Sequence, residues 1–102
     1  MKTTRKRPKL PKRQQELLDF LGPKYSVKRI DLGDAIYRKI NDNYDIEINV
    51  SGRYGASIFV WDISRGMDIT ARIVERHFDV EDQNEVKELL DGIVKKYGGD
   101  GG

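Results

Sequence analysis

The chain contains no cysteine among its 102 residues. Disulfides, thiolate nucleophiles, iron–sulfur clusters and cysteine-based zinc sites are therefore excluded. Nothing indicates an oxidising compartment, so we expect a cytoplasmic protein. The longest nearly continuous apolar run, residues 56–61, is far too short to span a bilayer. No apolar stretch follows the basic N-terminus as it would in a secretory signal. We therefore expect no membrane partner.

Motifs for catalysis and cofactor binding are also missing. The sequence has no G-x-G-x-x-G, no P-loop and no H-E-x-x-H pattern, and the acidic stretch 41–47 lacks the spacing of a calcium loop. His77 is the only histidine. No nucleophile or substrate group is indicated beside it, so we expect a hydrogen-bonded core or boundary residue. We expect no cofactor, no metal and no enzymatic activity.

Positive charge is concentrated at the N-terminus. Residues 1–13 hold seven of the nineteen Lys and Arg residues and no acid, whereas the rest of the chain has twelve basic against seventeen acidic residues. The net charge of +2 thus combines a +7 arm with a −5 body. Such an arm has no apolar surface to bury, so residues 1–10 are predicted to be disordered.

The natural partners of this arm are nucleic-acid phosphates, bound weakly and without sequence preference, or an acidic protein surface. A solubilising terminus is the alternative. The basic residues predicted to bind are Lys2, Arg5, Lys6, Arg7, Lys9, Lys12 and Arg13.

The hydrophobic pattern predicts one α+β domain over residues 11–97, followed by a flexible Gly-rich tail over 98–102. A first helix starts at Pro11 and stops at Gly22-Pro23. Apolar residues then alternate with polar ones, which predicts an antiparallel meander of three or four strands, because the connections are too short for parallel crossovers. The predicted strands are residues 25–30, 35–40, 44–50 and 56–62.

Two helices are predicted after the meander, both packed on the sheet. The last has apolar residues at helical spacing, an Asp82 cap paired with Glu85, and a stop at Gly98. Its apolar stripe consists of Val86, Leu89, Leu90, Ile93, Val94 and Tyr97.

Residues 69–78 are predicted to form the other helix, with Asp68 as its cap. The β-branched content of this segment leaves a strand as the alternative. As a helix it would gather three arginines on its outer side, where they would extend the basic surface. They are Arg65, Arg72 and Arg76.

The strand at 56–62 is apolar on both faces. If Ile58 and Val60 join the core, Phe59 and Trp61 lie on the opposite face. Either a helix covers that face, or it is open and can stack unpaired bases or anchor a protein partner.

The turn before this strand, residues 52–55, has the G-x-x-G spacing of the loop with which the KH domain clamps RNA. In that domain the loop joins two helices, whereas here it joins two predicted strands. A hairpin turn that displays Arg53 and Tyr54 is therefore predicted.

The size, the basic arm, the helix–meander–helix plan and the lack of cysteine resemble the small accessory proteins of phages and mobile elements. That class includes inhibitors of host nucleases and of CRISPR complexes. From charge, we predict a small non-catalytic regulatory module that engages nucleic acid or a nucleoprotein complex through its arm. The alternative is an inhibitor of the phage or mobile-element type that contacts a host enzyme or a CRISPR-like complex through Phe59, Trp61 and Tyr54. A structural subunit of a larger assembly is a third possibility.

Overall fold

The structure is a computed structural model that describes residues 12–30, 33–51, 55–66 and 70–98. Among these residues the chain forms one helix, five strands and a second helix, so the predicted α+β class with an antiparallel meander is confirmed. The predicted arm over 1–10 and the tail after Gly98 lie outside the described residues. The elements are α1 (Lys12–Leu21), β1 (Ser26–Ile30), β2 (Gly33–Lys39), β3 (Tyr44–Ser51), β4 (Gly55–Asp62), β5 (Arg72–Val80) and α2 (Gln83–Tyr97).

The five strands form a single sheet in chain order, β1-β2-β3-β4-β5, and every neighbouring pair is antiparallel. Short connections between successive strands favour this arrangement, because a parallel neighbour would need a crossover of about a dozen residues. Both β1 and β5 therefore lie at edges of this sheet. The strands on either side of the predicted hairpin turn, β3 and β4, pair antiparallel, whereas residues 52–54 of the turn lie outside the described residues.

The prediction of a helix over residues 69–78 is wrong, because Arg72–Val80 is the strand β5. β-Branched Ile73 and Val74 favour extended backbone. The pairing of β5 with β4 is irregular between Ala56 and Ile58 and again between Val60 and Trp61. Such bulges break the period-two alternation, so the apolar positions of β5 imitate helical spacing. The described sheet consequently has five strands instead of three or four, and one helix follows it instead of two.

Both helices pack on the same face of the sheet. Leu17 of α1 joins α2 residues in one hydrophobic cluster with the inward-facing side chains of the strands. This confirms the predicted packing of the last helix, including partly buried Tyr97 at its end. The buried members of α2 are Val86, Leu90 and Ile93, and the same cluster includes Ile46, Ile48, Ile58 and Val60 of the central strands.

The ends of α2 lie where its sequence predicts them. The Oδ1 atom of Asp82 accepts a hydrogen bond of 2.9 Å from the backbone N–H of Asn84, which satisfies one of the free donors of the first turn. At the other end, the N–H of Gly98 donates to the carbonyl of Val94 at 2.7 Å. Neither described helix is both long and apolar enough to cross a membrane.

Candidate binding site on the open sheet face

The sheet has a second face, opposite α1 and α2, which we call the open face. Phe59 and Trp61 of β4 lie on it, because they alternate with the core residues Ile58 and Val60. Both helices belong to the cluster on the other face, so no helix within the described ranges packs over Phe59 and Trp61. Of the two possibilities that the sequence allows for this face, the described residues fit the uncovered one.

An apolar patch occupies the β4–β5 half of the open face and consists of Phe59, Trp61, Ile73 and Phe78. The rings of Phe59 and Phe78 meet nearly edge to face, with centroids 5.7 Å apart and planes at 78°. Ile73 lies directly opposite Trp61 in the β4–β5 pairing. Phe78 is 59% exposed and Ile73 is 38% exposed, and neighbouring Val74 in the irregular part of β5 is 45% exposed. Much of this apolar patch is therefore exposed on the open face.

The β2–β3 half of the open face is polar, and its hydrogen bonds reach the apolar patch. The indole N–H of Trp61 donates to Glu47 Oε1 at 3.1 Å. The other carboxylate oxygen of Glu47 accepts a bond of 3.0 Å from the side-chain amide of Asn49. Glu47 therefore fixes the orientation of the Trp61 ring while leaving the ring partly exposed.

Asp45 is a buried carboxyl on this face, only 4% exposed. The hydroxyl of Tyr37 donates to Asp45 Oδ2 at 2.8 Å. Burial raises the pKa of Asp45, although the hydrogen bond from Tyr37 and the positive charge of Lys28 act in the opposite direction. Burial and the same bond raise the pKa of the Tyr37 hydroxyl, so the phenol remains a donor.

Replacing Tyr37 with phenylalanine is expected to lower the free energy of unfolding by about 1–2 kcal/mol at neutral pH, because a buried carboxylate loses its donor. Tyr37 lowers the pKa of Asp45, so its loss raises that pKa further. The cost of Y37F should shrink as the pH falls towards 3.8, the ordinary carboxyl value, because a protonated Asp45 needs the donor less. Urea unfolding of both proteins across this range measures the difference, and a cost that does not change with pH would contradict it.

One register row crosses the open face from β2 to β5. Tyr37 is paired with Glu47, Glu47 with Phe59, and Phe59 with Arg76. The row therefore places an acid and a base on either side of an aromatic ring. Arg76 is exposed and has no ion-pair partner among the described residues.

The three arginines predicted to share one helix face are not arranged in that way. Arg65 lies in the turn after β4, Arg72 begins β5 opposite Asp62, and Arg76 lies opposite Phe59 on the open face. The misassigned helix is the reason, because a strand places successive side chains on alternate faces. Arg76 alone of the three lies beside the apolar patch.

The other predicted binding residues divide into two groups. Lys12 and Arg13 are exposed in the first turn of α1. The rest lie outside the described residues: Lys2, Arg5, Lys6, Arg7, Lys9, Arg53 and Tyr54. Sequence reasoning missed Ile73, Phe78 and Glu47 as members of the site. Treating 69–78 as a strand would have identified the first two, because Phe59, Trp61 and these residues would then lie on neighbouring strands.

His77 lies on β5 instead of on a helix, and it is half-buried and hydrogen-bonded as expected. Its Nε2 atom is 2.7 Å from Glu75 Oε2. Glu75 also accepts bonds from Lys96 Nζ at 3.1 Å and from the Tyr97 hydroxyl at 2.9 Å. Burial raises the pKa of Glu75, but the three hydrogen bonds together with the positive charge of Lys96 outweigh it, so the pKa lies below its ordinary value. Through Glu75, these hydrogen bonds connect β5 to the C-terminal end of α2.

Comparisons with protein-family models, with curated proteins and with solved structures found no match for this chain. In the part of the chain that the structure describes, no group of three or more His, Cys, Asp or Glu side chains is placed to hold a metal ion.

Proposed function

We propose that this chain is a protein-binding module whose apolar patch docks on an apolar surface of another polypeptide. The observation that carries the proposal is the exposure of Phe78, 59%, beside Phe59 and Trp61 on a sheet face with no described helix over it. Fully burying an exposed Phe contributes roughly 1.5–3 kcal/mol, so several such side chains together can support specific association.

The polar surroundings of the patch favour a protein partner over unpaired bases. Aromatic sheet faces that stack bases also need positive charge for the phosphates. Here Glu47 is paired with Phe59, and Asp45 is paired with Trp61. The exposed base in this row, Arg76, lies on the other side of Phe59 from Glu47. The carboxylate of Glu47 offsets its charge beside the ring and repels a phosphate backbone, whereas it tolerates a protein surface that supplies donors.

The proposal is tested by placing the photo-crosslinking residue p-benzoylphenylalanine at position 78 and irradiating cells that express the protein. The matched control carries the same residue in place of Lys95, an exposed position on α2. Covalent adducts are expected from position 78 and not from position 95. When a cell lysate is irradiated at high salt instead, the adducts should still form, because apolar burial is not screened. Adding Ile73→Lys, which puts a charge into the patch, should remove them. Equal adducts from both positions, or none from position 78, would overturn the proposal.

A second candidate function is nucleic-acid or nucleoprotein binding through the basic arm. The distribution of charge favours it, because seven basic residues and no acid lie within residues 1–13 while the remaining chain is net acidic. Binding would be weak and independent of sequence, with a log–log salt slope approaching roughly −6 if all seven charges met phosphates. A mobility-shift titration with and without residues 2–13 tests this candidate, which fails if the full chain gives no shift even at low salt.

A further inference from the structure

The register of β3, β4 and β5 makes the open face complementary to itself. Glu47, Phe59 and Arg76 lie in one row on three adjacent strands, with the aromatic ring in the middle. A two-fold axis running along β4 between two facing sheets would bring β3 of one copy over β5 of the other. The ring of Phe59 would then meet the same ring of the second copy, and Glu47 would face Arg76 in both directions.

We propose that the open face is occupied by a second copy of this chain, in a two-fold face-to-face dimer held by the facing Phe59 and Trp61 side chains of the two β4 strands and by two reciprocal Glu47–Arg76 pairs. This inference rests on the proposed function, since it names the partner of the same patch. A two-fold interface uses the same surface on both subunits, so an acid on one side of the axis requires a base on the other. The row Glu47–Phe59–Arg76 has its acid on one side of β4 and its base on the other, as such an interface requires.

The geometry of sheet packing is compatible with this dimer. Two sheets pack face to face about 10 Å apart with their strands crossing at about 30°. An axis along β4 keeps the two β4 strands pointing the same way, as an aligned sandwich needs. A long arginine side chain can reach a carboxylate across that distance.

Both charged partners have capacity for the new contact. Each oxygen of Glu47 accepts one hydrogen bond within its own chain, from Trp61 or from Asn49, and a carboxylate offers about four acceptor sites in total. Arg76 is exposed, and no ion pair within the described ranges uses it. Enclosing the pair beside two aromatic rings would exclude water and strengthen it.

Complementary charge changes give the sharpest test. In a homodimer of R76E both reciprocal pairs join two acids, and in a homodimer of E47K both join two bases. When the two variants are mixed, each mixed dimer has one native Glu47–Arg76 pair. In its second pair the introduced lysine faces the introduced glutamate, so both pairs are attractive. A heterologous partner would not produce this rescue. The matched control is Lys95→Glu, a charge reversal on α2 away from the open face.

Sedimentation of the full chain is measured from about 1 to 100 µM, the range in which weak dimers form. We expect the wild type and K95E to approach twice the monomer mass of 11.8 kDa as concentration rises. Each single variant should dimerise at least about a hundredfold more weakly, because like charges then meet in the interface. Their equimolar mixture should recover the wild-type association.

Three results would overturn the dimer: a wild type that remains monomeric throughout, single variants that associate as the wild type does, or a mixture of folded variants that shows no recovery. Circular dichroism confirms that each variant is folded. If E47K is not, Glu47→Gln replaces it, because the amide oxygen still accepts the Trp61 bond, and mixing with R76E should then give partial recovery. A monomeric wild type whose position 78 crosslinks to a different protein would sink this inference while leaving the proposed function standing.

Discussion

Replacing Leu90 with alanine is expected to lower the free energy of unfolding by about 2–5 kcal/mol. Leu90 is 1% exposed and lies in the middle of α2, in the cluster that joins both helices to the sheet. Truncation removes buried methyl groups and leaves a cavity. A chain of this size has one small core, so little surrounding structure can move to fill the hole.

Leu89 provides the matched control for this change. It has the same side chain on the same helix and is only partly buried at the margin of the cluster. Leu89→Ala should cost about 1 kcal/mol, because less apolar surface returns to water and no closed cavity forms. Urea unfolding of the wild type, L89A and L90A gives the three free energies of unfolding, which can be compared if the m-value is unchanged. Equal costs for L89A and L90A would mean that α2 does not pack with the rotation described above.

The elements that the sequence predicted well are those whose burial pattern is simple. On β3, Ile46 and Ile48 are fully buried while Glu47 between them faces the other way, so the alternation is visible in the sequence. On α2, Val86, Leu90 and Ile93 recur at helical spacing and all reach the core. Both elements are regular and bury a single face in the core, so the spacing of their apolar residues directly reveals the type of element.

β5 could not be predicted in the same way because its apolar side chains do not mark the core. Ile73, Val74 and Phe78 are all exposed, and the buried end of the strand is Val80. Two irregularities in the pairing shift the alternation, and Asp79 adopts a φ of +59° just before that end. Asp accepts the left-handed region more easily than most residues, so no glycine reveals the irregularity.

The candidate site could also be predicted only in part from the sequence. Phe59 and Trp61 could be found from β4 alone, because both faces of that strand are apolar. The other half of the patch depends on β5 and therefore on long-range pairing. The row that joins Glu47 to Phe59 and Arg76 depends on the register of three strands, which no local pattern encodes. Composition and charge indicate where the basic residues are concentrated, but not which face of the sheet the described helices leave uncovered.

Replacing Gly55 with alanine is expected to lower the free energy of unfolding by about 3 kcal/mol or more, for two separate reasons. Gly55 has a φ of +95°, which side-chain-bearing residues adopt only with strain. A Cβ atom there would also lie 2.5 Å from the carbonyl oxygen of Val80 and 2.9 Å from its carbon. Both are backbone atoms at the point where β4 pairs with the end of β5, so no side chain can move aside.

Gly22 provides a control that separates the backbone strain from the steric clash. Its φ of +92° is nearly the same, but a Cβ atom there would meet nothing within 4 Å. Gly22→Ala should therefore cost about 1–2 kcal/mol, from backbone strain alone. Both substitutions restrict the unfolded chain equally, so that contribution cancels between them. The difference in unfolding free energy between G55A and G22A, measured in urea, then reports the close approach of β4 to Val80. If G55A costs no more than G22A, the approach of Gly55 to the Val80 end of β5 cannot be as close as described.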